Sequence, residues 1–319
     1  MPMPELPEVE TIKLGLERKI VGLTIKDVEI RSPKSFQDQR GKPFDYAQGL
    51  RGKKVLKVWR RAKILGVDFT WPLRGAKRRG DLIKNKDSHT PLGLGMTILF
   101  HLKMTGQIIF DNGQRIVGGH PTLDMRDAMP NSHTRVVFTF SDNSHLYFND
   151  QRRFGWIRVV KGDKGNLEIL NNLGPEPLKR EFTRQILKSN LLNHKSQPVK
   201  VALMDQKVVS GIGNIYASEA CFDAKIDPRK RVGDLGDQEF KDIHKGVIRV
   251  IKKGIKYGGS TRANFVDSEG RKGYFLDYAF VYGRDKHPCK VCESEIKKIQ
   301  LGGRGTYLCP NCQKSYNSF

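Results

Sequence analysis

Apolar residues at Val9, Ile12, Leu16 and Ile20 recur at helical spacing, so a helix with one buried face opens the chain. Pro7 suits its first turn, where a missing N–H costs nothing, and Glu8 and Glu10 suit its positive end. The period then changes. Thr24–Arg31 alternates as a strand does, Val55 to Phe69 is a second β-rich stretch, and Thr97–Leu102 reads as a buried strand before a turn at Lys103–Gly106. Arg135–Phe140 and His145–Asn149, joined by Ser141–Ser144, read as a β-hairpin. From Phe182 the pattern is helical, over 182–192, over 198–206, and over Asp237–Lys256, where Phe240, Ile243, Val247, Ile251 and Ile255 share a face.

This change of period divides the chain. A first domain spans 1–160, a Gly- and Pro-bearing linker 161–181, a helical domain 182–284, and a last module 285–319. Two stretches, 71–95 and 111–132, break the strand pattern and read as surface loops. A third Gly- and polar-rich loop spans 257–275.

Charge narrows the partner. The chain of 319 residues carries 57 Lys and Arg against 34 Asp and Glu, a net +23, which points to a polyanion and most simply to nucleic acid. The hydrophobic fraction is 38%, and neither an 18-residue apolar run nor a signal-peptide pattern is present. A soluble monomer in the cytosol or nucleoid, with no membrane partner, is expected.

Four of the five cysteines crowd the C-terminus as Cys289-x2-Cys292 and Cys309-x2-Cys312, with sixteen residues between the pairs. Paired thiolates at that separation close one tetrahedral zinc site on a β-hairpin. Four protein ligands leave no open position, so this Zn2+ is structural. Cys221 is expected to be simply buried, and His101 structural.

The opening Pro4-Glu5-Leu6-Pro7-Glu8-Val9-Glu10 carries a different chemistry. A proline with a free amine is a secondary amine that attacks an electrophilic carbon and collapses to an iminium. The neighbouring Glu5 can give or take the proton. Alone, the stretch reads first as a well-capped helix start, and only the order of its residues changes that. Pro4 has a free amine only if translation starts at Met3 and that Met is removed; a start at Met1 would leave Pro2 as the amine. The start at Met3 is expected.

Further along stand Arg60-Arg61-Ala62-Lys63, His101-Leu102-Lys103-Met104-Thr105-Gly106, Asp150-Gln151-Arg152-Arg153-Phe154-Gly155, Gly211-Ile212-Gly213-Asn214 and Gly302-Gly303-Arg304-Gly305. In this order, with the opening run and the zinc pairs, they resemble the formamidopyrimidine-DNA glycosylases, bacterial enzymes that remove oxidised purines from DNA. The resemblance covers the chain apart from the inserts at 71–95 and 111–132. Two positions depart from the pattern: Lys103 stands where the family usually has Gly, and Gln151, a mild departure, where its form has Pro.

The resemblance implies an α+β architecture. An N-terminal β-sandwich with a flanking helix precedes a helical domain with a helix-two-turns-helix and a zinc-finger β-hairpin, and damaged double-stranded DNA lies in the basic cleft between. It makes Pro4 the nucleophile, Glu5 its acid/base partner, and Lys63 and Arg304 the groups that stabilise departing phosphates. It gives Met104, Arg152 and Phe154 the void left by the flipped base, Arg152 facing the orphaned partner base. His133, Lys195, Lys200 and Asn214 become DNA contacts, the last at a helix start whose N–H groups favour phosphate. Glu8 orders the first helix and positions the sugar, and the 257–275 loop covers the flipped base.

The implied activity is bifunctional: excision of 8-oxoguanine and formamidopyrimidines, then strand cleavage by β,δ-elimination. Two other readings remain open. An endonuclease VIII-like enzyme for oxidised pyrimidines usually has Gly where Leu6 stands, and a blocked amine would leave a non-catalytic zinc-finger DNA-binding protein.

Overall fold

The structure, a computed structural model, describes residues 3–44, 46–70, 95–119, 128–161, 168–260 and 274–313. Met1, Pro2, residues 71–94 of the first insert, 120–127 of the second and 261–273 of the third loop lie outside them. After α1 (Leu6–Ile20) come β1 (Ile25–Ile30), β2 (Phe36–Asp38), the single turn α2 (Ala47–Leu50), β3 (Val55–Arg61) and β4 (Ile64–Phe69). Then follow β5 (Met96–His101), β6 (Gly106–Asp111), β7 (Arg115–Gly119), β8 (Thr134–Phe140), β9 (His145–Asp150) and β10 (Trp156–Lys161). The remainder holds α3 (Glu168–Asn171), α4 (Arg184–Leu192), α5 (Val199–Leu203), α6 (Asn214–Asp223), α7 (Asp237–Lys256) and the hairpin β11 (Lys297–Leu301) and β12 (Arg304–Leu308).

The chain divides into two units, and the division is not a single cut. One holds Ile12–Arg60 and Ile64–Asn171; the other holds Met1–Thr11, Arg61–Lys63 and Asn172–Phe319.

The first unit is a β-sandwich. Its sheets run β1-β8-β9-β6-β7 and β2-β10-β5-β4-β3, with β2 joining β10 in parallel. Sheet faces this apolar must be covered, and they cover each other. Phe100 of β5 meets Phe138 of β8 at 6.0 Å and Phe148 of β9 at 6.2 Å between ring centroids. The expected hairpin is β8–β9, in register from Thr139↔His145 to Thr134↔Asn149 with a bulge near its end.

One expectation fails here. Residues 111–132 were expected to be loop throughout, yet Arg115–Gly119 forms β7, paired antiparallel with β6 from Asp111↔Arg115 to Gln107↔Gly119. The cause is a turn at Asn112-Gly113, a dipeptide that favours tight hairpins. Gly113 takes φ +95°, its N–H donates to Asp111 Oδ1 at 2.9 Å, and Arg115 Nε donates to Asp111 Oδ2 at 2.8 Å.

The second unit is helical, with one core built from Leu187, Leu203, Ile212, Tyr216, Phe240, Ile243, Val247 and Ile251 among others. Thr183 caps α4 by accepting from the Ile186 N–H at 3.2 Å. The second expected helix, 198–206, is the shorter α5; it ends where Asp205 turns the chain by accepting from the Lys207 N–H at 2.8 Å. Leu6 belongs to this core, and its N–H donates to the Gly211 carbonyl at 2.9 Å. The zinc-finger hairpin has its own small core of Phe222, Val281, Ile296 and the buried cysteines Cys289 and Cys309. Glu219 ties that module to α6. Its buried carboxylate accepts the N–H groups of Phe280, Val281 and Tyr282 at 2.9, 2.8 and 2.8 Å.

Phe100 is 2% exposed and sits where the sheets meet. Phe100→Ala leaves a void there and is expected to cost about 3–5 kcal/mol, measured as a lowered midpoint in denaturant unfolding followed at the sandwich tryptophans.

Candidate functional site

The second unit brings Glu5 to the start of α6. Its carboxylate accepts the N–H groups of Gly213 (2.5 Å), Ile215 (2.9 Å) and Tyr216 (3.5 Å). A helix start offers unpaired N–H groups and a positive dipole end. The expectation from sequence was that these N–H groups would face phosphate; a side-chain carboxylate occupies these three instead. Glu5 is 2% exposed. Burial raises its pKa from the ordinary 4.5 to about 7, against the opposing pull of Lys63 and of the N–H bonds and with a further upward push from Glu8. Desolvation wins, so Glu5 can hold a proton near neutral pH.

Lys63 converges on the same point. A side chain at Gly213 would stand 2.6 Å from the Glu5 carboxyl carbon and 2.9 Å from Lys63 Nζ, so only glycine fits. The turn bearing Lys63 is clamped. Ala62, at φ +53°, donates its N–H to Glu176 Oε1 at 2.5 Å. Arg61 donates to Ser210 Oγ (2.9 Å) and to the carbonyls of Leu173 (3.1 Å) and Gly174 (2.8 Å). Lys63 is thereby held 7% exposed rather than on a solvated strand edge.

Pro4, also buried, precedes Glu5, and the peptide N–H between them donates to Glu8 Oε2 at 2.9 Å. The other Glu8 oxygen accepts from Tyr216 OH and from the Ser260 N–H, both at 2.7 Å. Gly259, at φ +87°, makes room; a Cβ there would meet that oxygen at 2.9 Å. Glu8 thus fixes the plane of the peptide that carries the candidate nucleophile.

Beyond α6, Lys200 is fully buried and donates to Asn214 Oδ1. Burial lowers its pKa to about 8. Asn214 Nδ2 donates to the Gly305 carbonyl at 3.0 Å, next to exposed Arg304 on the zinc hairpin. The structure therefore links Lys200, Asn214 and the Arg304 turn in one chain of contacts. Lys195 is exposed, and its carbonyl accepts from the Gly233 N–H at 2.9 Å.

The sandwich unit gathers the other expected residues. Arg152 Nη1 lies 3.3 Å from Met104 Sδ, and its guanidinium lies 5.0 Å from the centre of the Phe154 ring, which is 57% exposed. Asp150, fully buried, braces them: it accepts from Thr105 Oγ1, from the Gly155 N–H at 2.6 Å and from the Arg152 N–H at 3.3 Å. Its own N–H donates to the His133 carbonyl at 2.9 Å, tying His133 to the same brace.

The four C-terminal thiols lie within 4.8 Å of one another, Cys289 Sγ to Cys312 Sγ at 3.9 Å and Cys292 Sγ to Cys309 Sγ at 3.4 Å. A tetrahedral Zn–S bond of about 2.3 Å implies sulfurs about 3.8 Å apart, so the donor set fits zinc. N–H groups of Val291 and Cys312 point at the sulfurs of Cys289 and Cys309, each at 3.4 Å. The four thiolates would hold the ion and lock the hairpin that presents Arg304.

Comparison with known proteins agrees along the length. Residues 3–157 match the family model for the formamidopyrimidine-DNA glycosylase N-terminal domain, 173–266 its H2TH domain, and 286–314 the zinc finger found in FPG and IleRS. The formamidopyrimidine-DNA glycosylase of Listeria monocytogenes is 35% identical over 314 residues, covering 98% of this chain and all of that protein. The chain belongs to the formamidopyrimidine-DNA glycosylase family. That of Rickettsia bellii is 38% identical over 314 residues, again covering 98% and 100%. The Lactococcus lactis Fpg bound to DNA containing an abasic site has the same fold, with a TM-score of 0.77 at 29% identity over 98% of this chain and 100% of that one. The MutM (Fpg) protein of Thermus thermophilus gives 0.75 at 29%, over 97% and 98%.

Several residues of this family member's site escaped sequence reasoning. Tyr216 drew no assignment from sequence, although a buried phenol needs a hydrogen-bond partner. Glu176 and Ser260 act through a backbone N–H, which no pattern of side chains announces. The zinc donor set makes a direct prediction: Cys309→Ala should lower bound zinc from one per chain to near zero by metal analysis, while the sandwich unit keeps its unfolding transition.

Proposed function

We propose that the chain is a bifunctional DNA glycosylase and abasic-site lyase acting on oxidised purines, 8-oxoguanine and formamidopyrimidines, in duplex DNA during base excision repair. The observation that carries this reading is the convergence of Glu5 and Lys63 on Gly213 at the start of α6, with Pro4 one residue away. The damaged nucleotide leaves the duplex first, because its sugar carbon cannot be reached in the stack. Met104, Arg152 and Phe154 fill the void, Arg152 facing the partner base.

Pro4 nitrogen then attacks the anomeric carbon, and Glu5 delivers its proton to the sugar oxygen. The ring C–O bond opens onto that oxygen, the Pro4 nitrogen sheds its proton, the bond to the base breaks with its electron pair and that proton going to the base, and an iminium joins Pro4 to the opened sugar. That cation acidifies the adjacent C–H, so the 3′ and then the 5′ phosphate are eliminated, with Lys63 and Arg304 stabilising the departing charge. The reading requires a free amine at Pro4, which a start at Met3 and loss of that Met would supply. Lys195, Asn214 and His133 are assigned to the DNA backbone; Lys200, expected as a direct contact, is 0% exposed and acts instead by holding Asn214 through its Oδ1.

A monomer working on the nucleoid in a bacterial cytoplasm fits this role. Among the described residues no helix is long and apolar enough to cross a membrane.

Two outcomes check the reading. Borohydride should trap the protein on a duplex carrying 8-oxoguanine opposite cytosine and not on undamaged duplex, with the adduct mapped to Pro4 by peptide mass. Absence of any adduct with zinc-loaded protein would remove the amine mechanism. The acid form of Glu5 predominates below its pKa of about 7, so single-turnover base excision should fall as pH rises through 7. Glu5→Gln should lower base excision by at least about 10²-fold while still trapping on a pre-formed abasic site, whose open-chain aldehyde needs no such proton.

A further inference from the structure

Lys103 stands at the tip of the β5–β6 turn with φ +51°. A side chain in this left-handed region is strained, and glycine or asparagine is the ordinary occupant. The turn is held against the strain. Lys103 N–H donates to His101 Nδ1 at 3.0 Å, and Gly106 N–H closes the turn on the Leu102 carbonyl at 2.8 Å. The ring of His101 is itself braced at 5.4 Å by Trp156.

The ammonium has no carboxylate partner among the described residues. The buried carboxylate of the cluster, Asp150, is taken up by Thr105, Gly155 and Arg152. The next residue is Met104, whose sulfur touches Arg152. On the other side of the cluster Arg153 is also left-handed, at φ +59°. A second strained cation therefore flanks Phe154. A costly backbone conformation persists where the position does something a cheaper residue cannot. Here the addition is one unpaired positive charge at the tip that carries Met104.

We propose that Lys103 binds a backbone phosphate of duplex DNA beside the point where Met104 enters the stack. The proposal rests on the lesion-duplex reading above. A phosphate contact adds affinity without sequence preference and displaces one counterion, whereas a packing residue at a turn tip displaces none.

The test uses zinc-loaded full chain and a duplex carrying a tetrahydrofuran abasic-site analogue, with binding followed by fluorescence anisotropy across a salt series. Lys103→Gln keeps the left-handed strain and loses the charge; Lys103→Gly loses both. Both variants should flatten the slope of log affinity against log salt by about one and bind about eightfold more weakly at 0.1 M salt. Lys103→Arg should restore the slope, and Lys103→Gly should unfold at a temperature equal to or above that of the parent. An unchanged slope in Lys103→Gln, or a loss confined to Lys103→Gly, would overturn this contact. The parent protein is run on the same duplex and in the borohydride assay. If it neither binds nor traps, the lesion-duplex reading itself fails; if it does both while the slopes coincide, only the role of Lys103 is lost.

Discussion

The contact between the Glu5 carboxylate and the N–H groups that open α6 organises everything around it. It joins residues 208 positions apart and holds a side chain next to the candidate nucleophile with almost no freedom. Two opposing effects act on that carboxyl. Hydrogen bonds from Gly213 and Ile215 and the charge of Lys63 favour the anion, while burial and the neighbouring Glu8 favour the acid. The balance lies near neutrality because desolvation is the larger effect. An exposed carboxylate with the same three donors would sit far lower and would have no proton to give.

A second layer of contacts keeps this arrangement from relaxing. Glu8 is held by Tyr216 and Ser260, and the Lys63 turn by Glu176 and by the fork of Arg61. These are charge-assisted hydrogen bonds in a dry setting, where each is worth more than at the surface. Positive charge is abundant in the chain, yet Lys63 and Lys200 are cations that the fold draws inside. Lys200 loses basicity through burial and is left with an amide oxygen, Asn214 Oδ1, as its partner. The cation is thereby kept beside the Arg304 turn without being cancelled by an acid.

Much of this was legible before any coordinates. The α7 face, the β8–β9 hairpin and the four thiols follow from period and spacing, because local patterns report local structure. The resemblance named Pro4, Glu5, Lys63 and Arg304 for the chemistry, Asn214 for a phosphate, and Met104, Arg152 and Phe154 for the void; in the fold Glu5 and Lys63 meet at Gly213, Asn214 bonds the turn that carries Arg304, and Arg152 lies against both Met104 and Phe154. What stayed hidden was of two kinds. The Asn112-Gly113 turn was a local signal overlooked inside a polar stretch, and it made β7. The roles of Tyr216, Ser260 and Glu176 depend on backbone N–H groups and hydroxyls brought together from distant positions. Apolar periodicity does not encode such meetings. The filling of the α6 N–H groups by Glu5 belongs to the same kind.

The division of the first helix has a consequence for how the protein is made. Residues up to Thr11 belong with a unit whose remainder begins at Asn172, apart from the short Lys63 turn. The first segment to leave the ribosome must therefore wait for Gly213 and Tyr216 to be synthesised before its carboxylates find their partners. At about 5–20 residues per second that is a delay of roughly 10–40 seconds. Through that interval these residues lack the partners they have in the finished fold, while the sequence of the sandwich is already complete. A ribosome that stalls before α6 leaves a chain whose opening segment has no partners to meet.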